Sequence, residues 1–109
     1  MNSIHKQWPD DADGDVLRRM DASGFDFEEP CLIDFNVDFD CWPPSDAAMQ
    51  MLYEMHSNSK AISLEGEGGY VCFHIHARLS YELVVNIQRL VSERMASFGG
   101  VCESLGVLH

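Results

Sequence analysis

Positive charge is scarce in this chain: seven lysines and arginines stand against 18 aspartates and glutamates over 109 residues, a formal net charge of −11. Affinity for RNA or DNA comes largely from cationic side chains that displace counterions from phosphates, so direct nucleic-acid binding is disfavoured. No apolar run approaches the ~20 residues that span a bilayer. The opening stretch, MNSIHKQWPDDADGD, has no apolar core of a signal peptide, which makes the cytoplasm the expected location. The cysteines at 31, 41, 72 and 102 show no C-x-x-C spacing, so neither a zinc ribbon nor a thioredoxin-type site is supported. Cys31 and Cys41 share parity with the apolar face of their strand and are expected to be small buried hydrophobes, with all thiols free. A G-x-S-x-G elbow, a P-loop, an H-E-x-x-H helix and a dinucleotide fingerprint are also missing. The expectation is therefore no catalytic residue, no cofactor and no enzyme.

What is present is unevenly distributed. Residues 1–46 hold 12 acids and 3 bases, whereas residues 47–109 hold 6 acids and 4 bases. Acidity of this kind serves solubility, and it also favours a basic protein partner over a phosphate backbone. The length suits one domain with a real core, preceded by a polar, loose tail over residues 1–10, with the domain itself over 11–109.

DADGDVLRRMDASG reads as a short helix with acids at its start and Gly24 as its stop. Its D-x-D-G-D opening mimics a calcium loop. The pattern fails there, because loop position six is Val16 rather than Gly and position twelve is Ala22 rather than Glu. CLIDFNVDFDC, residues 31–41, alternates like a strand, with Ile33, Phe35, Val37 and Phe39 on one face and Asp34, Asn36, Asp38 and Asp40 on the other. Ser45 caps a helix over about 46–56, with Ala48, Met49, Leu52 and Met55 inward. KAISLE, residues 60–65, and YVCFHIHAR, residues 70–78, form a hairpin around the turn signal GEGG. Ser80 caps a longer helix to about Phe98, ended by Gly99-Gly100. Its inward stripe is Leu83, Val84, Ile87, Leu90, Val91, Met95 and Phe98, and Tyr81, Asn86 and Arg89 are expected on the solvent side. A last, irregular strand follows. After the first helix the order is β-α-β-β-α-β, an α+β, ferredoxin-like sandwich with a four-stranded antiparallel sheet and its first and third strands central. The second face of that sheet is expected to be open or partly covered by the N-terminal helix.

Two chemical readings compete on that face. His74 and His76 lie two apart on one strand, so both imidazoles point the same way, and Asp34, Asp38 or Cys72 supply candidate further ligands for a metal or small ligand. Simple cross-strand Asp–His pairing explains the same residues. RNA-recognition domains share the topology, but they present stacking aromatics on the central strands. Here GGYVCFHI has Cys72 at the second aromatic's place, and the first strand offers carboxylates instead of rings.

Several stretches, taken in order, resemble the RraB family of regulators of ribonuclease E activity. They are Asp13-Gly14-Asp15-Val16-Leu17-Arg18, Gly24-Phe25-Asp26 with Pro30, Ile33-Asp34-Phe35 through Phe39, and Gly99-Gly100. The resemblance covers residues 11–108. It implies a compact ferredoxin-like domain, no catalysis, and binding to the non-catalytic, basic region of ribonuclease E that lowers RNA cleavage. Charge complementarity with such a partner points to Asp13, Asp15, Asp34, Asp38 and Asp40 as the contact surface.

Overall fold

The structure, a computed structural model, describes residues 8–65 and 68–108. The expected tail lies largely outside these residues, as do Gly66 and Glu67 of the expected GEGG turn. Three α-helices, α1 (Ala12–Ala22), α2 (Asp46–Met55) and α3 (Tyr81–Met95), combine with four strands, β1 (Cys31–Phe39), β2 (Lys60–Ser63), β3 (Gly69–Ala77) and β4 (Gly100–Leu108). The chain is α+β, with one antiparallel sheet in the order β2-β3-β1-β4, so β1 and β3 are central.

Each helix begins where a side-chain oxygen meets an otherwise unpaired N–H of the first turn. Asp11 accepts from Gly14 N at 2.7 Å, Ser45 from Ala48 N at 3.1 Å and Ser80 from Leu83 N at 3.1 Å. The strands then sort their side chains by parity. Ile33, Phe35 and Val37 of β1, with Val71 and Phe73 of β3, are fully buried with Leu17, Leu52, Val84, Val91 and Met95 of the helices. Phe35 stacks on Phe73 at 5.3 Å between ring centres, and His56, just past α2, stacks on the same Phe73 at 4.0 Å.

Three expectations are corrected. The β1 strand stops at Phe39, and Cys41 beyond it is exposed rather than buried. Asp40 N donates to Gly99 O at 2.9 Å, which turns the chain before the alternation reaches Cys41. On α3 the fully packed stripe is Val84, Gln88, Val91 and Met95, with Leu90 46% exposed. Tyr81, expected at the surface, is half-buried and bonded to α1. The second sheet face, expected to be open or partly covered by the N-terminal helix, is open among the described residues: α1 packs beside α3, with Leu17 in the same core as the odd residues of β1.

The final strand is irregular as expected: it runs nine residues beside β1, with a register shift between Asn36 and Val37 that leaves Glu103 unmatched. Both flanks of the sheet carry a side chain that takes the place of a missing strand. Beyond the end of β2, the Asn58 side-chain amide accepts from His74 N at 3.0 Å and donates to His74 O at 2.9 Å. On β4, the Ser92 hydroxyl accepts from Cys102 N at 2.9 Å and donates to Cys102 O at 3.2 Å.

Candidate functional site

With the helices on one side of the sheet, the even residues of β1 and β3 meet on the other. Registers place them in rows. Leu32 lies opposite His76, and Asp34 lies between His74 and Gly106. Asn36 faces Cys72, which faces Lys60 in turn. Asp38 lies between Tyr70 and Val101, with Ile62 beyond Tyr70. Leu32 and Val101 are 37% and 40% exposed, so the face mixes solvated apolar groups with carboxylates. Four residues of β-strand at ~3.3 Å each separate Asp34 from Asp38 by about 13 Å along β1. Beside them Cys72 is half-buried, and burial, with the Asp34 carboxylate second, pushes its thiol up and keeps it protonated.

His74 and His76 share this face as expected. Among the described residues, no group of three or more His, Cys, Asp or Glu side chains gathers as a metal would need. Nor, among them, is there an ion pair between Asp34 and His74, although they are direct register partners.

The five carboxylates expected to form one contact surface do not lie together. Asp34 and Asp38 are on the open face. Asp40 is past the strand end, against Gly99, where an added Cβ would come within 2.1 Å of its carboxylate. Asp13 and Asp15 are on α1, across the sheet from that face. Asp15 forms an ion pair with Arg18 one turn on. Asp13 is half-buried and accepts from the side-chain amide of the buried Gln88 at 3.3 Å. Desolvation raises the Asp13 pKa against that hydrogen bond, with the neighbouring Asp11 adding to the rise. Asp11 moves the other way, lowered by the Tyr81 hydroxyl that donates to it at 2.6 Å and by the Gly14 N–H.

These contacts explain the D-G-D-V-L-R stretch as a docking device for α1. Gly14 is buried because the Pro9 carbonyl sits where its Cβ would be, at 2.0 Å. Leu17 enters the core, and the Arg18 guanidinium donates to the carbonyls of Trp8 at 2.9 Å and Pro9 at 3.2 Å. Asp11 and Tyr81 close the helix onto α3.

A cleft of about 730 Å³ was not anticipated from sequence. It lies where the connector from α1 folds against the start of β1, and Leu32 and His76 belong both to it and to the open face. Phe25 and Pro30 supply apolar walls, and Asp26 and Glu29 supply carboxylates. The only local signal was the G-F-D…P turn itself, which marks a connector but not what it encloses.

Among the described residues no helix is long and apolar enough to cross a membrane. No curated protein matches the chain. The family model described as Regulator of ribonuclease activity B, RraB, matches residues 10–107, nearly the whole chain, and the protein belongs to that family of ribonuclease regulators.

Proposed function

We propose that this protein is a non-enzymatic regulator that binds ribonuclease E, or a related ribonuclease, through a basic non-catalytic region and lowers its RNA cleavage. The observation that carries the reading is family membership over residues 10–107, combined with a net charge of −11 that suits a basic protein segment and repels RNA. The β-α-β-β-α-β order with β1 and β3 central supports a ferredoxin-like domain, and the cytoplasm, where RNA decay occurs, is its expected place. Of the five acidic residues, Asp34 and Asp38 are best placed for contact. Asp13 and Asp15 are engaged by Gln88 and Arg18, and Asp40 lies past the end of β1, where its backbone turns to pair with Gly99.

The test is cleavage of a structured RNA by full-length ribonuclease E with rising amounts of this protein. Cleavage should fall to a plateau, and a ribonuclease lacking its basic non-catalytic region should be unaffected. Undiminished cleavage at saturating protein would remove the reading.

A further inference from the structure

We propose that the cleft at the start of β1 and the open face of the sheet form one continuous track for a basic, extended or helical protein segment, with the cleft receiving an arginine side chain. The inference rests on the reading above and deepens it by naming the surface and the chemistry of its occupant. Three observations converge on it.

First, the face has no covering layer among the described residues. All three helices lie on the other side, and Leu32 and Val101 remain substantially exposed. A sheet face that carries both exposed aliphatics and carboxylates suits a partner that is itself amphipathic, because apolar contact supplies affinity and charge supplies selection. Second, the cleft joins this face. Leu32 and His76 form its inner border, and at about 730 Å³ it has room for a large side chain. Its walls, Phe25 and Pro30, are apolar, and its acids, Asp26 and Glu29, are both exposed. An arginine matches that lining on both counts. Its three-methylene stem lies on apolar walls while its planar guanidinium offers paired donors to carboxylates. Third, the sign of charge continues along the track. From Glu29 and Asp26 the line runs past Leu32 to Asp34 and then to Asp38, about 13 Å further along β1. Among the described residues in the registers of this face the one Lys or Arg is Lys60, at its outer margin on β2, and exposed Arg78 follows the end of β3 two positions after His76. The carboxylates of α1 are not part of the track.

The experiment uses the intact chain and a synthetic arginine-rich peptide with interspersed leucines, followed by fluorescence anisotropy and by amide chemical shifts. The expected result is one-to-one binding with shifts centred on residues 24–38 and 70–76. Glu29→Lys with Asp34→Lys should weaken binding roughly tenfold or more, since the exchange sets like charges against the basic peptide as it docks. Asp46→Lys with Glu54→Lys, on exposed α2 and of equal net-charge change, should alter it less than about twofold. Equal losses in both variants would overturn the proposal by reducing it to net charge. Binding that survives the first variant would also overturn it. So would a dimer that the first variant dissociates, since the face would then belong to a second copy of the chain. A variant starting at Trp8 that binds the peptide more tightly, with the same shifts, would support the track and show that the chain's own N-terminal segment competes for it. Failure to inhibit ribonuclease E would remove the proposed partner while leaving a positive peptide result intact, so the two readings fail separately.

Discussion

Asp11 and Asp13 lie two residues apart at the start of α1 and respond to acid in opposite senses. Asp11 is held below the ordinary 3.8 by the Tyr81 hydroxyl and the Gly14 N–H. It therefore contributes stability above that value, and the contribution is lost as pH falls through the lowered one. Asp13, raised by burial, opposes folding when ionised, and that opposition is relieved as pH falls towards its raised value. Tyr81→Phe should lower the melting temperature at pH 7, and the gap to the unaltered protein should close progressively on acidification below 3.8, as read by circular dichroism. A gap independent of pH would mean that the hydroxyl acts through packing alone. His56 gives a second handle at milder pH. Burial against Phe73 lowers its pKa from 6.5, so its stabilising stack is fully present above that value and is lost as pH drops through the lowered one. His56→Gln should flatten the stability profile below pH 6.5 in urea titrations. Neither partner of the Asp13–Gln88 bond was legible in sequence. A glutamine within an amphipathic helix reads as a solvent residue, and the carboxylate that justifies its burial is 75 positions away.

At the scale of elements, order and type were readable because the signals are local. Caps at Ser45 and Ser80, alternation in β1 and β3, and Gly99 with φ +74° after α3 depend only on neighbouring residues. Ends were less readable. Parity carried past Phe39 assigned Cys41 to the core, because nothing in the pattern records that Asp40 turns to pair with Gly99. The position of α1 beside α3, and the cleft made by its connector, are tertiary and left only the family-like motif as a trace. Gly14 is the point at which that packing can be tested. Alanine normally favours a helix over glycine by about 1 kcal/mol. Here its Cβ would meet the Pro9 carbonyl at 2.0 Å, a backbone atom that cannot step aside without releasing Trp8. Gly14→Ala should reverse the usual sign and destabilise by roughly 1–3 kcal/mol, as overpacking does. The expected signature is a red shift of the tryptophan emission as half-buried Trp8 meets water.

For the molecule as a whole, charge sets how it meets other molecules more than how it folds. Most of the acids are exposed, so any basic partner is drawn over distances comparable with the Debye length, ~10 Å at 0.1 M salt. Association with the arginine-rich peptide should accordingly slow steeply between about 0.05 and 0.5 M salt, while dissociation, governed by the apolar cleft, changes little. Stopped-flow rates separate the two. Loss of affinity carried mainly by faster dissociation would place the charges inside a desolvated contact rather than around it. Sequence alone anticipated the acidic character and assigned Asp34, Asp38 and Asp40 to one strand face, of which the open face keeps Asp34 and Asp38 while Asp40 lies past the strand end. It could not divide the acids between surfaces, because Asp13 and Asp34 differ only in which side of the sheet the chain carries them to.

The substitutes for missing strands, Asn58 at His74 and Ser92 at Cys102, bear on colloidal behaviour. An open sheet is a template, and any extended chain that docks on its border offers the next border to another, so growth has no natural end. A side chain already bonded to both the N–H and the C=O of one border residue acts as an end-stop, because an incoming strand must displace it before registering there. Removing both stops, with Asn58→Ala and Ser92→Ala, should leave far-ultraviolet dichroism close to that of the parent yet shorten the lag before thioflavin-positive assemblies form in concentrated solution. An unchanged lag would show that the borders are guarded by the rest of the surface. By this account, two uncharged residues guard the sheet borders alongside the net charge of −11.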